Sequence, residues 1–250
     1  MCPLLYLDSF YDMLKKTGNI NLVMEEIVKT RVNAYVPMGN EEDVTRQLEA
    51  YDWVKDHLMI RTCDLERNRE RLKDAVYTMQ GDFAGVAYVV LHEEENGVCS
   101  CMVRKEYLEG WGVTEETVIA DALECNNKKE VIFRGLNEYL MQLDEDAMET
   151  DIFPGGPPLY VLTNSFNTYG TSVMFNTEAM DRIAFRFGDG YFVIPSSVHE
   201  LLVVPREEGF EPDMFNTMIS EVNENEVSAE EILSYHVQYY DLEDHMLKRA

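Results

Sequence analysis

Apolar and polar positions along this chain switch between a two-residue and a helical period, and the switches mark its elements. The densest stretch is residues 159–205, where short apolar runs, turns and one helical stripe follow each other without a break. Residues 159–162 form an apolar run closed by Thr163 and Asn164, and Tyr169-Gly170 opens a second run that reaches Phe175. The polar connection 164–168 has hairpin length, so these two runs are expected to be strands paired antiparallel. Asn176 or Thr177 then caps a helix whose buried stripe is Ala179, Met180, Ile183, Ala184 and Phe187, ended by Gly188 or Gly190. Residues 191–194 and 198–204 are predicted strands, bounded by Pro195 and Pro205, because proline donates nothing to a ladder. Four consecutive apolar residues at 201–204 predict a layer covered on both faces.

The preceding chain follows the same logic. Asp8 or Ser9 caps a helix closed by Gly18, and Asn21 opens a second with Leu22, Val23, Ile27 and Val28 inward. A third helix is predicted over 41–56, with Val44, Leu48 and Tyr51 at helical spacing, followed by a strand around residues 58–60. Asp64 caps an exposed, heavily charged helix over 65–75. A hairpin joins 83–92 to 98–103 through the Asn-Gly turn at 93–97. A short helix over 105–109 ends at Gly110, Thr114 caps the next helix, and 131–143 reads as a strand passing into a helix. Beyond the central stretch, Pro212 begins a helix carrying Met214, Phe215, Met218, Ile219 and Val222. Ser228 begins another, with Ile232 and Leu233 inward, and 235–240 is a last strand. These elements define an α+β protein of mainly antiparallel hairpins with packed helices, in two lobes of one compact unit. The lobes are 1–143 and 159–250, joined by the acidic and then Pro/Gly-rich linker 144–158.

Charge changes this picture more than composition does. The 250 residues carry 47 Asp and Glu against 21 Lys and Arg, a net charge of -26. The excess is uneven, with 16 basic and 26 acidic side chains in 1–140 but 5 and 21 in 141–250, and residues 207–244 hold 12 acids and no Lys or Arg. Such a field repels phosphate backbones, so direct nucleic-acid binding is not expected. The one basic cluster, Arg67, Arg69, Arg71 and Lys73, is interleaved with Glu66, Glu70 and Asp74. No apolar run approaches a membrane span, and the N-terminus lacks a basic leader, which together predict a cytoplasmic protein. The five cysteines form no CxxC pair, and Cys99 and Cys101 read as small buried thiols of a strand.

Candidate chemistry is sparse. Ser196, Ser197, His199 and Glu200 form the sole cluster with nucleophile, base and acid types together. In an extended segment Ser197 and His199 share a face while Glu200 points away, so the strand alone does not assemble a triad. Turn-forming serines and a strand histidine are the expected arrangement. No HExxH or EF-hand spacing occurs, and Asp241, Glu243, Asp244 and His245 read as a frayed acidic tail rather than a metal site. Gly155-Gly156 lacks the Lys-Ser/Thr of a phosphate loop, and Gly188-Asp189-Gly190 reads as a helix-to-strand turn. No metal and no cofactor is therefore expected.

Taken together, PLLYLDSFYDML, the segment Trp111-Gly-Val-Thr114, the Leu-Thr-Asn and Tyr-Gly pieces of 162–170, Pro-Ser-Ser-x-His-Glu at 195–200 and Leu-Ser-x-x-Val-x-x-Tyr at 233–240 carry a resemblance. The chain resembles an uncharacterised domain-of-unknown-function family of gut-associated Gram-positive bacteria, often found near mobile-element genes. The resemblance spans nearly the whole chain and implies that typical members carry a further N-terminal segment. It implies no activity. The expectation is a non-enzymatic protein that binds a macromolecule, specifically a protein with a basic surface. Its expected contacts are Asn164 and Tyr169 of the loop, with Glu200, Glu207, Glu208, Glu211 and Asp213. Two other classes stand beside it: a hydrolase using Ser196 or Ser197 with His199, discriminated by a deep pocket converging on them, and a DNA-mimicking inhibitor, discriminated by acids at phosphate-like spacing.

Overall fold

The computed structural model describes residues 8–33, 41–94, 97–143, 157–188, 190–206, 212–225, 227 and 231–250. The chain divides into two compact units, Met1–Leu48 and Glu49–Ala250. The first holds α1 (Asp8–Thr17), α2 (Ile20–Asn33) and most of α3 (Glu41–Glu49). Gly18 closes α1 in the left-handed region by donating its N–H to Leu14 O, as expected. Asn19, not Asn21, caps α2, its Oδ1 accepting from Asn21 and Leu22 N–H. Of the apolar positions assigned inward in α2, Val23 is buried but Leu22 and Val28 are exposed. The single helix predicted over 41–56 is instead broken at Ala50, where the backbone is extended, and the boundary between the units falls beside it.

The second unit contains α4 (Tyr51–Val54), a 3-10 turn, β1 (Leu58–Asp64), α5 (Arg69–Leu72), β2 (Tyr77–Gln80), β3 (Phe83–Glu94) and β4 (Gly97–Met102). There follow α6 (Lys105–Trp111), α7 (Glu115–Asn127), β5 (Val131–Gly135), α8 (Leu136–Leu143), β6 (Tyr160–Asn164) and α9 (Thr177–Phe187). The last elements are β7 (Tyr191–Pro195), β8 (Leu201–Pro205), α10 (Pro212–Asn225), β9 (Gln238–Asp241) and β10 (Met246–Arg249). All strand pairs among the described residues are antiparallel, so the α+β class holds. In the first sheet β3 pairs with β1 along one edge and with β2 and β4 along the other. The second sheet has the order β10-β9-β7-β8-β6-β5. Its strands β5 and β6 come from either side of 144–158, so one sheet spans both expected lobes; residues 144–156 themselves lie outside the described residues.

Several local expectations fail for physical reasons. The run Gly170–Phe175 is a 3-10 turn buried at every residue, not a strand, and β6 takes β5 and β8 as neighbours instead of a hairpin partner. Burial explains the apolar run equally well in either form, which is why the pattern misleads. The charged helix expected over 65–75 shrinks to α5, and Leu65 N–H bonds instead to the distant Asp82 carbonyl. Helix α6 ends at Gly112 rather than Gly110, in the left-handed conformation that only glycine adopts freely. The helix start at Ser228 lies outside the described residues, while Ile232 and Leu233 are buried as expected.

Strands β7 and β8 are covered on both faces, as their apolar run predicts. Phe192, Ile194 and Val204 meet Phe215 and Ile219 of α10 on one side. On the other, Tyr191 donates its hydroxyl to Met180 O of α9 at 3.2 Å and stacks on Tyr240 at 5.3 Å. The two sheets are joined at the β2–β3 turn. Gly81 has φ +58, and a Cβ there would stand 2.7 Å from Leu247 O of β10. Beside it Asp82 Oδ2 accepts from Arg249 at 2.7 Å and from Gln238 Nε2 at 3.1 Å.

The turn after β9 is not a frayed tail. Asp241 accepts backbone N–H bonds from Glu243 and Asp244, and Lys248 bridges Asp241 and Asp244. Asp181 of α9 braces this turn, accepting from Tyr240 Oη at 2.7 Å and pairing with His245 Nδ1 at 2.9 Å. Burial alone would raise the Asp181 carboxyl, but the bonds from His245 and Tyr240 outweigh it and hold the pKa below the ordinary 3.8. A depressed carboxyl stabilises the fold at pH above its unfolded pKa and loses that contribution as pH falls through the folded value. Thermal unfolding from pH 6 to 2.5 is therefore expected to show Asp181→Asn melting about 3 °C below the parent at pH 6, with the gap narrowing as pH falls below 3.8.

Candidate functional site

The cluster named from sequence sits in the turn between β7 and β8. Pro195 ends β7, and the chain then reverses so that Ser197 N–H reaches Glu200 O at 3.4 Å. In this turn Glu200 does not point away. Its Oε1 accepts from Ser197 Oγ at 2.9 Å and from Ser196 Oγ at 3.5 Å, while Ser197 Oγ accepts from His199 N–H at 3.0 Å. Both hydroxyl protons are thus committed to a carboxylate, and no hydrogen bond joins either serine to the His199 ring. A serine nucleophile needs its proton aimed at a base whose far side is oriented by an acid. Here the ring is engaged differently: His199 Nδ1 accepts from Tyr169 N–H at 3.3 Å, and Nε2 lies 3.8 Å from Glu231 Oε1. An accepting Nδ1 places the neutral ring's proton on Nε2.

The same turn is clamped from below. Thr163 Oγ1 donates to His199 O and Thr171 Oγ1 to Val198 O, each at 2.8 Å. A cavity of about 480 Å³ opens above it, lined by Asn167, Ser196, Ser197, His199, Glu200, Val222, Val227 and Glu231. Its polar wall carries two carboxylates, two hydroxyls and an amide, and His199 is the sole basic side chain among these lining residues.

The loop after β6 carries the two other residues expected to make contacts. Asn164 is buried and braces the loop: its Nδ2 donates to Thr168 O and its Oδ1 accepts from Phe166 N–H, both at 3.0 Å. The loop so held places Asn167 and Tyr169 at φ +50 and +48, a region bulky side chains rarely enter. Such strain concentrates at sites where the surroundings over-determine one conformation. Tyr169 meets two parts of the structure. Its ring centroid is 5.6 Å from that of His199, and Arg61 of β1 places Cζ 3.9 Å from the same ring centroid.

Arg61 escapes the sequence reading because the predicted strand stops at residue 60. The alternation Met59, Arg61, Cys63 in β1 is the available signal, since it sets a guanidinium in line with inward positions. Burial lowers the Arg61 pKa and pushes the Cys63 thiol up to about 11. Of the acidic contacts expected, Asp213 is exposed in the first turn of α10, and Glu207, Glu208 and Glu211 lie outside the described residues. Among the described residues no group of three or more His, Cys, Asp or Glu converges as a metal site would, and no helix is long and apolar enough to cross a membrane. Compared with known proteins, residues 1–242 match the profile of a family of unknown function. No curated protein and no solved structure matches the chain.

Proposed function

The chain belongs to the family of unknown function DUF5688, and on that footing we propose that it is a cytoplasmic binding protein whose acidic surface receives a protein with a basic surface. The observation that carries this reading is the cavity above the β7–β8 turn. Glu200 and Glu231 face it with Ser196, Ser197 and Asn167, a donor-poor and acceptor-rich wall suited to a Lys or Arg side chain. The net charge of -26 supports fast, salt-sensitive encounter with such a partner. A hydrolase built on Ser196, Ser197 and His199 is the weaker reading, because both hydroxyls are bonded to Glu200 and neither to the ring. The test is capture of partners from the native host's lysate at about 50 mM and about 500 mM salt, where Debye screening differs roughly threefold. The expected result is a basic protein retained only at low salt and lost about tenfold in a Glu200→Gln/Glu231→Gln variant. Retention indifferent to both salt and variant, or an esterase activity abolished by Ser197→Ala, overturns it.

A further inference from the structure

In a strongly acidic chain nine of the described Lys and Arg side chains pair with a carboxylate, among them Lys55 with Asp52, Arg69 with Glu66, Lys73 with Glu70, Lys105 with Glu115 and Arg249 with Asp82. Arg61 and Arg71 make no such pair among the described residues, although they converge on one tyrosine. Arg71, exposed on α5, donates to the Tyr88 hydroxyl, and Arg61 stacks over the Tyr88 ring with Cζ 4.6 Å from its centroid and 3.9 Å from that of Tyr169. The Arg61 Nε is cut off from solvent and has no hydrogen-bond partner. Its Nη atoms also make no hydrogen bond but keep contact with solvent.

Three costs therefore fall on one place. A guanidinium is largely desolvated without a counter-charge, a buried N–H is unsatisfied, and a second arginine of like sign stands nearby. Packing against two aromatic rings recovers part of the first cost but supplies no acceptor for the Nε–H. A group that supplies the missing counter-charge and offsets the like-charge repulsion must be negative, must accept from the Arg61 Nη atoms that keep contact with solvent, and must reach both arginines. Oxyanions have that chemistry.

We propose that Arg61 and Arg71, framed by Tyr88 and Tyr169, form a binding site for an oxyanionic group of the phosphate or carboxylate class. Tyr169 makes the site dependent on the strained loop, and through its N–H bond to His199 Nδ1 the same residue is tied to the acidic cavity. The site is independent of the basic partner inferred above, because it would take ligands of opposite sign. Non-specific uptake of anions is opposed by the net charge of the chain, so a specific response is diagnostic.

The experiment is thermal unfolding of the full chain in sodium phosphate, sodium acetate and sodium chloride at equal ionic strength, with 31P linewidths of inorganic phosphate recorded in parallel. At ten times the dissociation constant, the favoured anion is expected to raise the midpoint by roughly 3–6 °C over chloride. A response to phosphate with line broadening assigns the phosphate class, and a response to acetate alone assigns the carboxylate class. Arg71→Gln, on the exposed α5, is expected to abolish the response while leaving the far-ultraviolet spectrum unchanged; Lys73→Gln, which removes a neighbouring cation paired with Glu70, is expected to retain it. Arg61→Gln serves as the second variant, and if it fails to fold, Arg71→Lys, which keeps the charge but loses the fork, takes its place with an expected loss of about fivefold or more in affinity. Identical midpoints in all three salts, or a response that survives Arg71→Gln, overturns the proposal.

Discussion

Gly170→Ala is expected to destabilise the second unit by about 3 kcal/mol or more, measured by urea unfolding. A Cβ at this position would stand well inside contact distance of both Thr163 Oγ1 and His199 O, and 3.0 Å from Asn164 N. Two of these neighbours are backbone atoms, so no rotamer change relieves the overlap. The oxygens are also bonded to each other, Thr163 Oγ1 to His199 O at 2.8 Å, and pushing either one away breaks the clamp under the β7–β8 turn. Gly135→Ala on β5 is the control, because a Cβ there meets nothing within 4 Å. Its effect is expected to stay within about 1 kcal/mol, and the small strand preference of alanine sets its sign. Equal effects of the two substitutions would show that the close approach at Gly170 is not what holds the turn.

Asn164→Ala is expected to cost about 2–3 kcal/mol and to disturb the site as well as the fold. The side chain is 1% exposed and makes two bonds that close the loop on itself, donating to Thr168 O and accepting from Phe166 N–H. Alanine strands both partners and removes the restraint that keeps Tyr169 left-handed. Loosening of Tyr169 then shows as increased acrylamide access to the tyrosines and faster amide exchange at the loop. Asn164→Asp, which keeps the acceptor for Phe166 but loses the donor to Thr168, is expected to recover about half of the lost stability. Full stability in Asn164→Ala would sink the view that this amide sets the loop.

These residues show how far sequence reading carries. Asn164 and Tyr169 stand out in the sequence as expected contacts; the structure adds that Asn164 is buried and bonded within its own loop. Pro195, Ser196 and Ser197 read as turn formers, and the turn bonds of Ser197 agree with that reading. Glu200 falls on the opposite face only if strand alternation is extended through a segment that actually reverses. Arg71 belongs to a basic cluster visible in the sequence, while Arg61 shares no local pattern with it and stays hidden. The relation between the two arginines runs through Tyr88, a residue of another strand.

What the sequence by itself determined was the class of each strongly patterned element and the sign of the field around the chain. Periodicity located α9, β3, β4, β7, β8 and α10 because a buried stripe or a doubly covered strand leaves a local record in residue spacing. The -26 charge follows from composition alone. Tertiary structure decided everything that depends on distant segments meeting. It made Gly170–Phe175 a buried 3-10 turn, paired β5 with β6 across 144–158, joined the two sheets at Asp82 and Arg249, and set Tyr169 beside Arg61 and His199. The physical reason is that burial constrains which residues are apolar but not the backbone form that buries them, and charge partners far apart in the chain leave no mark on local spacing.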